Sequence, residues 1–304
     1  MEGHLKVPSG RFKIRAPSVS AMTEFRVHSY TAAEPGIFVN SYLLETVDGV
    51  VLVDAGLLVS DARALAARLA ALRKPLVAAF VTHAHPDHYN GLPYVVGDDV
   101  PVYATALVAK TIEQTAAAKR EQWQPTYGEE WPDRFRVPDR PLDGGGTLDV
   151  AGLRIQVHDL GAAESHADSY LLVEAGEKRN AFIGDLAFDG VHSYTADGHS
   201  GAWLDALDRL VDELAGVPLY PGHGAPGGTG LLIRQRQYLL MYRQAVGRLA
   251  AGAPSLSEAQ KLELTQTLTR FLPGAPLNWL VGLGADAVAA ELATSSPIDA
   301  REGS

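Results

Sequence analysis

The segment Thr82-His83-Ala84-His85-Pro86-Asp87-His88 sets three histidines and a carboxylate beside one another. Imidazole nitrogen and carboxylate oxygen bind borderline divalent cations without help from sulfur. The chain has no cysteine at all, which excludes thiolate zinc sites, disulfides, cysteine nucleophiles and iron–sulfur ligation and leaves His, Asp and Glu as ligands. His83 and His85 stand two apart at the end of an apolar run and project to one side, while Asp87 and His88 follow about a turn later and reach a neighbouring position. Four clustered ligands exceed what a catalytic zinc uses when it keeps a position open for water, so two adjacent metal sites are implied. Further ligands must come from other loops on the same edge. Three candidates stand out: His166 in GAAESHADS, Asp185 in FIGDLAF and His223 in YPGHG. His4, His28 and His158 have no motif around them and read as solvated or hydrogen-bonded residues.

The elements that must carry these residues occur in one order, twice. Residues 24–31 and 36–54 read as strands, with Asp48-Gly49 as a hairpin turn between Tyr42 to Glu45 and Val50 to Val53. Ser60 then caps a helix over 60–73, Pro75 ends it, and Leu76 to Thr82 forms a buried strand that runs into the histidines. Asp168 to Leu172, then Phe182 to Asp185, then a helix at about 201–215 and a strand from Val217 to His223 repeat the pattern. Two such ββαβ halves put Asp54, His83, Asp185 and His223 on one edge of a two-sheet sandwich. Between the halves, 105–120 reads as a helix and 121–135 as an aromatic, acidic surface loop. Helical spacing covers 230–250, 256–272 and 277–293, with a capping box at Ser255 to Glu258.

A chain of 304 residues with 46% hydrophobic content can bury a sizeable core. We expect an irregular segment over 1–22, one domain over 23–295 that includes the C-terminal helices, and a flexible tail over 296–304. Thirty-six acidic against 26 basic residues give a net charge of −10 with no basic stripe, so nucleic acid and anionic membrane are poor partners and a small molecule is the expected one. No window is apolar enough to span a membrane, and the charged, proline-containing first residues do not read as a secretion signal, which makes the cytoplasm the expected location.

Taken in order, Asp54, the HAHPDH segment, His166, Asp185 and the PGHG segment resemble the metallo-β-lactamase-fold hydrolases over roughly residues 24–225. The resemblance implies an α+β fold, a four-layer αβ/βα sandwich, here with added C-terminal helices. It also implies that His83, His85 and His166 hold one metal, that Asp87, His88 and His223 hold a second, that Asp185 bridges them, and that Asp54 braces the histidine loop. Two zinc ions are the expected cofactors, with iron or manganese as alternatives. They would share a hydroxide, oriented by the catalytic Asp87, that attacks a carbonyl. β-Lactamases of this fold generally carry cysteine or serine where this chain has Asp185, so the expected substrate is a small, partly apolar ester, lactone or thioester. β-Lactam or phosphodiester hydrolysis, or a non-catalytic metal-binding role, are the alternatives. The tyrosine that acyl-homoserine-lactone lactonases carry three residues after the bridging aspartate is Phe188 here. Substrate contacts are expected from two aromatic loops, through Trp131 in one and His192, Tyr194 and His199 in the other.

Overall fold

The computed structural model describes residues 25–295, so the expectations for the N-terminal segment and the tail lie outside the described residues. Alternation along the strands dictates the architecture. In the hairpin of β2 (Asn40–Glu45) and β3 (Val50–Val53), Leu43, Val50 and Leu52 face one way, while Tyr42, Leu44, Val51 and Val53 face the other. Strands buried on both sides need a layer on each face. The first sheet runs in the order β1 (Arg26–Thr31), β2, β3, β4 (Leu76–Phe80), β5 (Val102–Thr105), β6 (Arg140–Leu142). The second runs β11 (Leu219–His223), β10 (Lys178–Phe188), β9 (Asp168–Ala175), β8 (Leu153–Gly161), β7 (Gly145–Val150).

Tyr42, Val51 and Phe80 of the first sheet meet Ile155, Leu171 and Phe182 of the second in the central layer. The outer face of the first sheet is covered by α1 (Val59–Ala71), α3 (Leu92–Val95) and α4 (Ala106–Tyr127), with Leu65, Leu92 and Ile112 fully buried. The outer face of the second is covered by α5 (Ser200–Glu213) and α6 (Gly230–Ala250), with Trp203, Leu207 and Leu232 buried. These layers form the expected four-layer sandwich. The β2–β3 hairpin followed by α1 and parallel β4 is matched by the β9–β10 hairpin followed by α5 and parallel β11, so the topology repeats as the sequence order does. Both halves end their parallel strands at the histidines.

Several local boundaries differ. Ser60 does not cap α1; it lies inside the first turn, where its N–H donates to the carboxylate of Glu130 at 2.9 Å. The capping box of α7 (Glu258–Phe271) uses Ser257 and Gln260, two residues beyond the expected pair. α4 does not stop at 120 but continues to Tyr127, with Pro125 in its last turn, where one missing N–H costs a single helical bond. The C-terminal spacing resolves into α8 (Trp279–Leu283) and α9 (Ala285–Ser295), which pack with α6 and α7 around Tyr242, Leu264 and Val281. No described helix is long and apolar enough to cross a membrane.

Candidate metal centre and substrate cleft

The histidine segment leaves β4 and turns at once into α2 (Pro86–Tyr89), with Pro86 at its first position, where a missing N–H costs nothing. Asp54, in the left-handed region at φ 58°, ends β3 and ties this segment down. Its carboxylate accepts from the Thr82 N–H at 2.9 Å, the Thr82 hydroxyl at 2.8 Å and His88 Nδ1 at 2.8 Å. A carboxylate can only accept, so His88 donates from Nδ1, which leaves Nε2 as the nitrogen turned toward the centre. The same logic holds around the site. His83 Nδ1 lies 3.1 Å from the Thr82 hydroxyl, whose own proton goes to Asp54. His85 Nε2 lies 3.1 Å from Asp197 Oδ2, and His223 Nδ1 lies 3.0 Å from the carbonyl of Ile37. Each of the four imidazoles has one nitrogen engaged outward and the other turned to the centre, the ring orientation that metal ligation requires.

Two groups result. His83, His85, Glu164 and Asp185 offer ligand atoms within 4.8 Å of one another, as do Asp87, His88, Asp185 and His223. Asp185 belongs to both: Oδ1 lies 3.4 Å from His88 Nε2, and Oδ2 lies 3.8 Å from His83 Nε2 and 3.4 Å from His223 Nε2. Gly222 makes this possible, because a Cβ there would fall 1.9 Å from Asp185 Oδ1. His83 Nε2, His88 Nε2, both oxygens of Glu164 and Asp185 Oδ1 are buried without a hydrogen-bond partner. Each such atom ordinarily costs about 1–3 kcal/mol, so a cluster of them around two ligand sets fits divalent cations. The electrostatics agree. Burial pushes the Glu164 carboxyl up to about 8, against the pull of His85. Burial opposes protonation of His223, yet Asp185 and Asp87 hold it up at about 9. Cations would relieve both imbalances.

His166 is the one expected ligand that the structure does not bring to the centre. Its side chain is 53% exposed, and Nδ1 lies 2.6 Å from His199 Nε2. The reason is local. Asp168 Oδ2 accepts from the N–H groups of Ala163 and Ser165 at 3.1 and 2.8 Å, folding 163–168 into a turn. Ser169 is stitched to the Thr82 carbonyl through both its N–H and its hydroxyl, which fixes that turn against the histidine segment. This geometry aims Glu164 inward, with Oε2 3.2 Å from His85 Nδ1, and turns His166 outward.

A cleft of roughly 610 Å³, counted out to its open mouth, leads to His85, Asp87, Asp185 and His223. Trp131 and Tyr194 line it; Trp131 stacks on Tyr127, and the Tyr194 ring stands edge-on to His85 at 4.8 Å. His192 and His199 do not line it. His192 is fully buried and pairs with the Tyr238 hydroxyl at 3.0 Å under α6, and His199 meets His166. Phe188 lies flat on His223, with ring centroids 5.0 Å apart. Sequence reasoning missed Glu164, Asp197, Lys119 and the C-terminal wall of Leu277, Trp279 and Leu280. For Glu164 the signal was present, as an acid two residues before the histidine that drew attention.

Over residues 35–223 the sequence matches the family described as the Metallo-beta-lactamase superfamily. The chain belongs to that superfamily. It is accordingly a metal-dependent hydrolase with His and Asp groups placed to hold metal. Among solved structures it is similar to a metallo-beta-lactamase from Pontibacter korlensis, at 24% identity and a TM-score of 0.56 over 72% of this chain and 99% of that one. It is also similar to a metallo beta lactamase from Hirschia baltica, at 20% identity and a TM-score of 0.53 over 71% and 97%. At these identities the likeness establishes the fold. A curated relative, the transcription termination factor FttA of Methanothermobacter thermautotrophicus, is 28% identical over 122 residues, 38% of this chain but only 19% of that protein's length.

Proposed function

We propose that this superfamily member holds two divalent cations, zinc by preference, and hydrolyses an ester, lactone or thioester of a small, partly apolar substrate. The observation that carries this reading is the cleft: a wall of aromatic and aliphatic side chains opens directly onto two ligand groups that share Asp185. His83, His85, Glu164 and Asp185 would hold one cation, and Asp87, His88, Asp185 and His223 the other. Such a pair, when bound, polarises a carbonyl and lowers the pKa of water to near neutrality, which supplies a nucleophile to a chain that has no cysteine. The protein's own share is positioning and proton handling. Asp87 lines the cleft beside His223, at 3.1 Å, where its carboxylate can accept a proton from the attacking water and return it to the leaving group. Trp131, Tyr127 and Trp123 exclude water from the substrate's apolar part. A net charge of −10 and a ring-lined cleft support a small molecule over a polynucleotide as the partner.

The deciding experiment is turnover by purified, zinc-reconstituted protein across a panel of lactones, thioesters, aryl esters, β-lactams and phosphodiesters. We expect the carboxylic ester and thioester classes to be preferred. Exclusive turnover of phosphodiesters or of β-lactams overturns the substrate assignment.

A further inference from the structure

We infer that Lys119 is a specificity-determining residue of this cleft, and that the preferred substrate carries a carboxylate on its apolar part, remote from the bond that is cleaved. The inference names the substrate class for the hydrolase reading above and rests on it.

Among the residues that line the cleft, Lys119 is the only lysine, and there is no arginine. It comes from α4, where Lys119, Trp123 and Tyr127 recur at intervals of four residues, so one helix face presents a cation and two rings to the same space. The lysine is half-buried, and its ammonium makes no hydrogen bond or ion pair among the described residues. The contact it does make is with the face of Tyr194, 5.7 Å from the ring centroid. Asp197 is the acid close enough to sense it, but both of its oxygens are engaged elsewhere, Oδ2 with His85 at 3.1 Å and Oδ1 with the Tyr194 hydroxyl at 3.1 Å. The ammonium therefore lies one aromatic ring away from His85, in a wall that is otherwise apolar, with donor capacity to spare.

That placement selects a ligand. A scissile carbonyl at the ligand groups would lie beside the Tyr194 ring, an alkyl or aryl segment would run along the Trp123 and Tyr127 face, and an anionic end would meet Lys119. A single ammonium with no second cation in the lining matches a singly charged carboxylate; a phosphate dianion ordinarily calls for several converging donors. A half-desolvated cation in an apolar wall discriminates more strongly than one in open water.

Two measurements test this. The first compares mono-4-nitrophenyl adipate, an ester with a distal carboxylate, with 4-nitrophenyl pentanoate. In the wild type we expect kcat/KM to favour the acidic ester at least tenfold, mainly through KM. Lys119→Met should abolish that preference and Lys119→Arg should retain most of it. The second follows quenching of tryptophan fluorescence in the protein as purified, with octanoate against octanol. Octanoate should bind about tenfold tighter, and Lys119→Met should lose the difference. If neither ester turns over, the hydrolase reading is at fault, and the fluorescence comparison still decides the role of the lysine. An acidic-to-neutral ratio that is the same in wild type and Lys119→Met in either measurement overturns the inference.

Discussion

Glu164 and His166 are two residues apart, and only one of them reaches the metal centre. The turn organised by Asp168 decides which, and metal content tests the result directly. Elemental analysis of purified protein should find about two divalent ions per chain in the wild type and in His166→Ala, and about one in Glu164→Gln. A loss of metal in His166→Ala with none in Glu164→Gln would reverse the assignment. Asp87 bears on chemistry more than on folding. It lies beside His88 and His223 at 3.3 and 3.1 Å, and His88 and His223 hold its carboxyl well below the usual range despite burial. Asp87→Asn cannot take a proton at neutral pH and should lower kcat by about 100-fold or more, while in a chelator its thermal midpoint stays near that of the chelated wild type. Turnover close to wild type, with metal content intact, counts against the role assigned to this carboxylate.

At the scale of elements, the aromatic wall of the cleft is built where α4, the short turn after it and the C-terminal helices converge. Trp123 of α4 lies 5.9 Å from Trp279 of α8, and Tyr127 stacks at 5.9 Å on Trp131. Trp131 is buried against Leu57 and Leu58, which lead into α1, and the adjacent Glu130 receives the α1 N-terminus, so the wall is anchored to the scaffold rather than draped over it. Removing the Trp131 ring should cost apolar substrates about tenfold in kcat/KM through lost burial, with little change for a short-chain ester and none in metal content. Steady-state kinetics over an acyl-length series measures this. A uniform loss across the series would indicate a structural role for the ring instead.

For the whole molecule, cations held at these two ligand groups would also stabilise the fold, because ligands that bind only the folded state stabilise it by mass action. In a chelator the buried carboxyl of Glu164, raised to about 8, has a folded-state pKa above its unfolded value of about 4.3. The unfolded state then releases its proton first as pH rises, so this residue's contribution is present at low pH and is lost as pH climbs through about 8. Thermal unfolding of the chelated protein should therefore show the wild type losing stability relative to Glu164→Gln between pH 6 and pH 8.5, and zinc should abolish that trend. A difference between the two proteins that stays flat or grows in favour of the wild type with rising pH contradicts the buried, cation-demanding state described for Glu164.

What the amino-acid sequence determined by itself is whatever depends on neighbours along the chain. His83, His85, Asp87 and His88 were legible because a strand end and the first turn of a helix place them together whatever surrounds them. The hairpins, the buried strands and the repeated ββαβ order were legible because alternation and turn residues are local properties. The choice between Glu164 and His166 was not, because the direction of a side chain in an irregular turn is set by bonds from Asp168 and from Thr82, just beyond β4. Nor was His192, which sits near the centre in sequence but is claimed by packing against Tyr238. Lys119, Asp197 and Trp279 acquire meaning only where α4, the loop before α5 and the C-terminal helices meet at one cleft. Tertiary structure alone decides this, since burial and the withdrawal of water arise between elements and not within them.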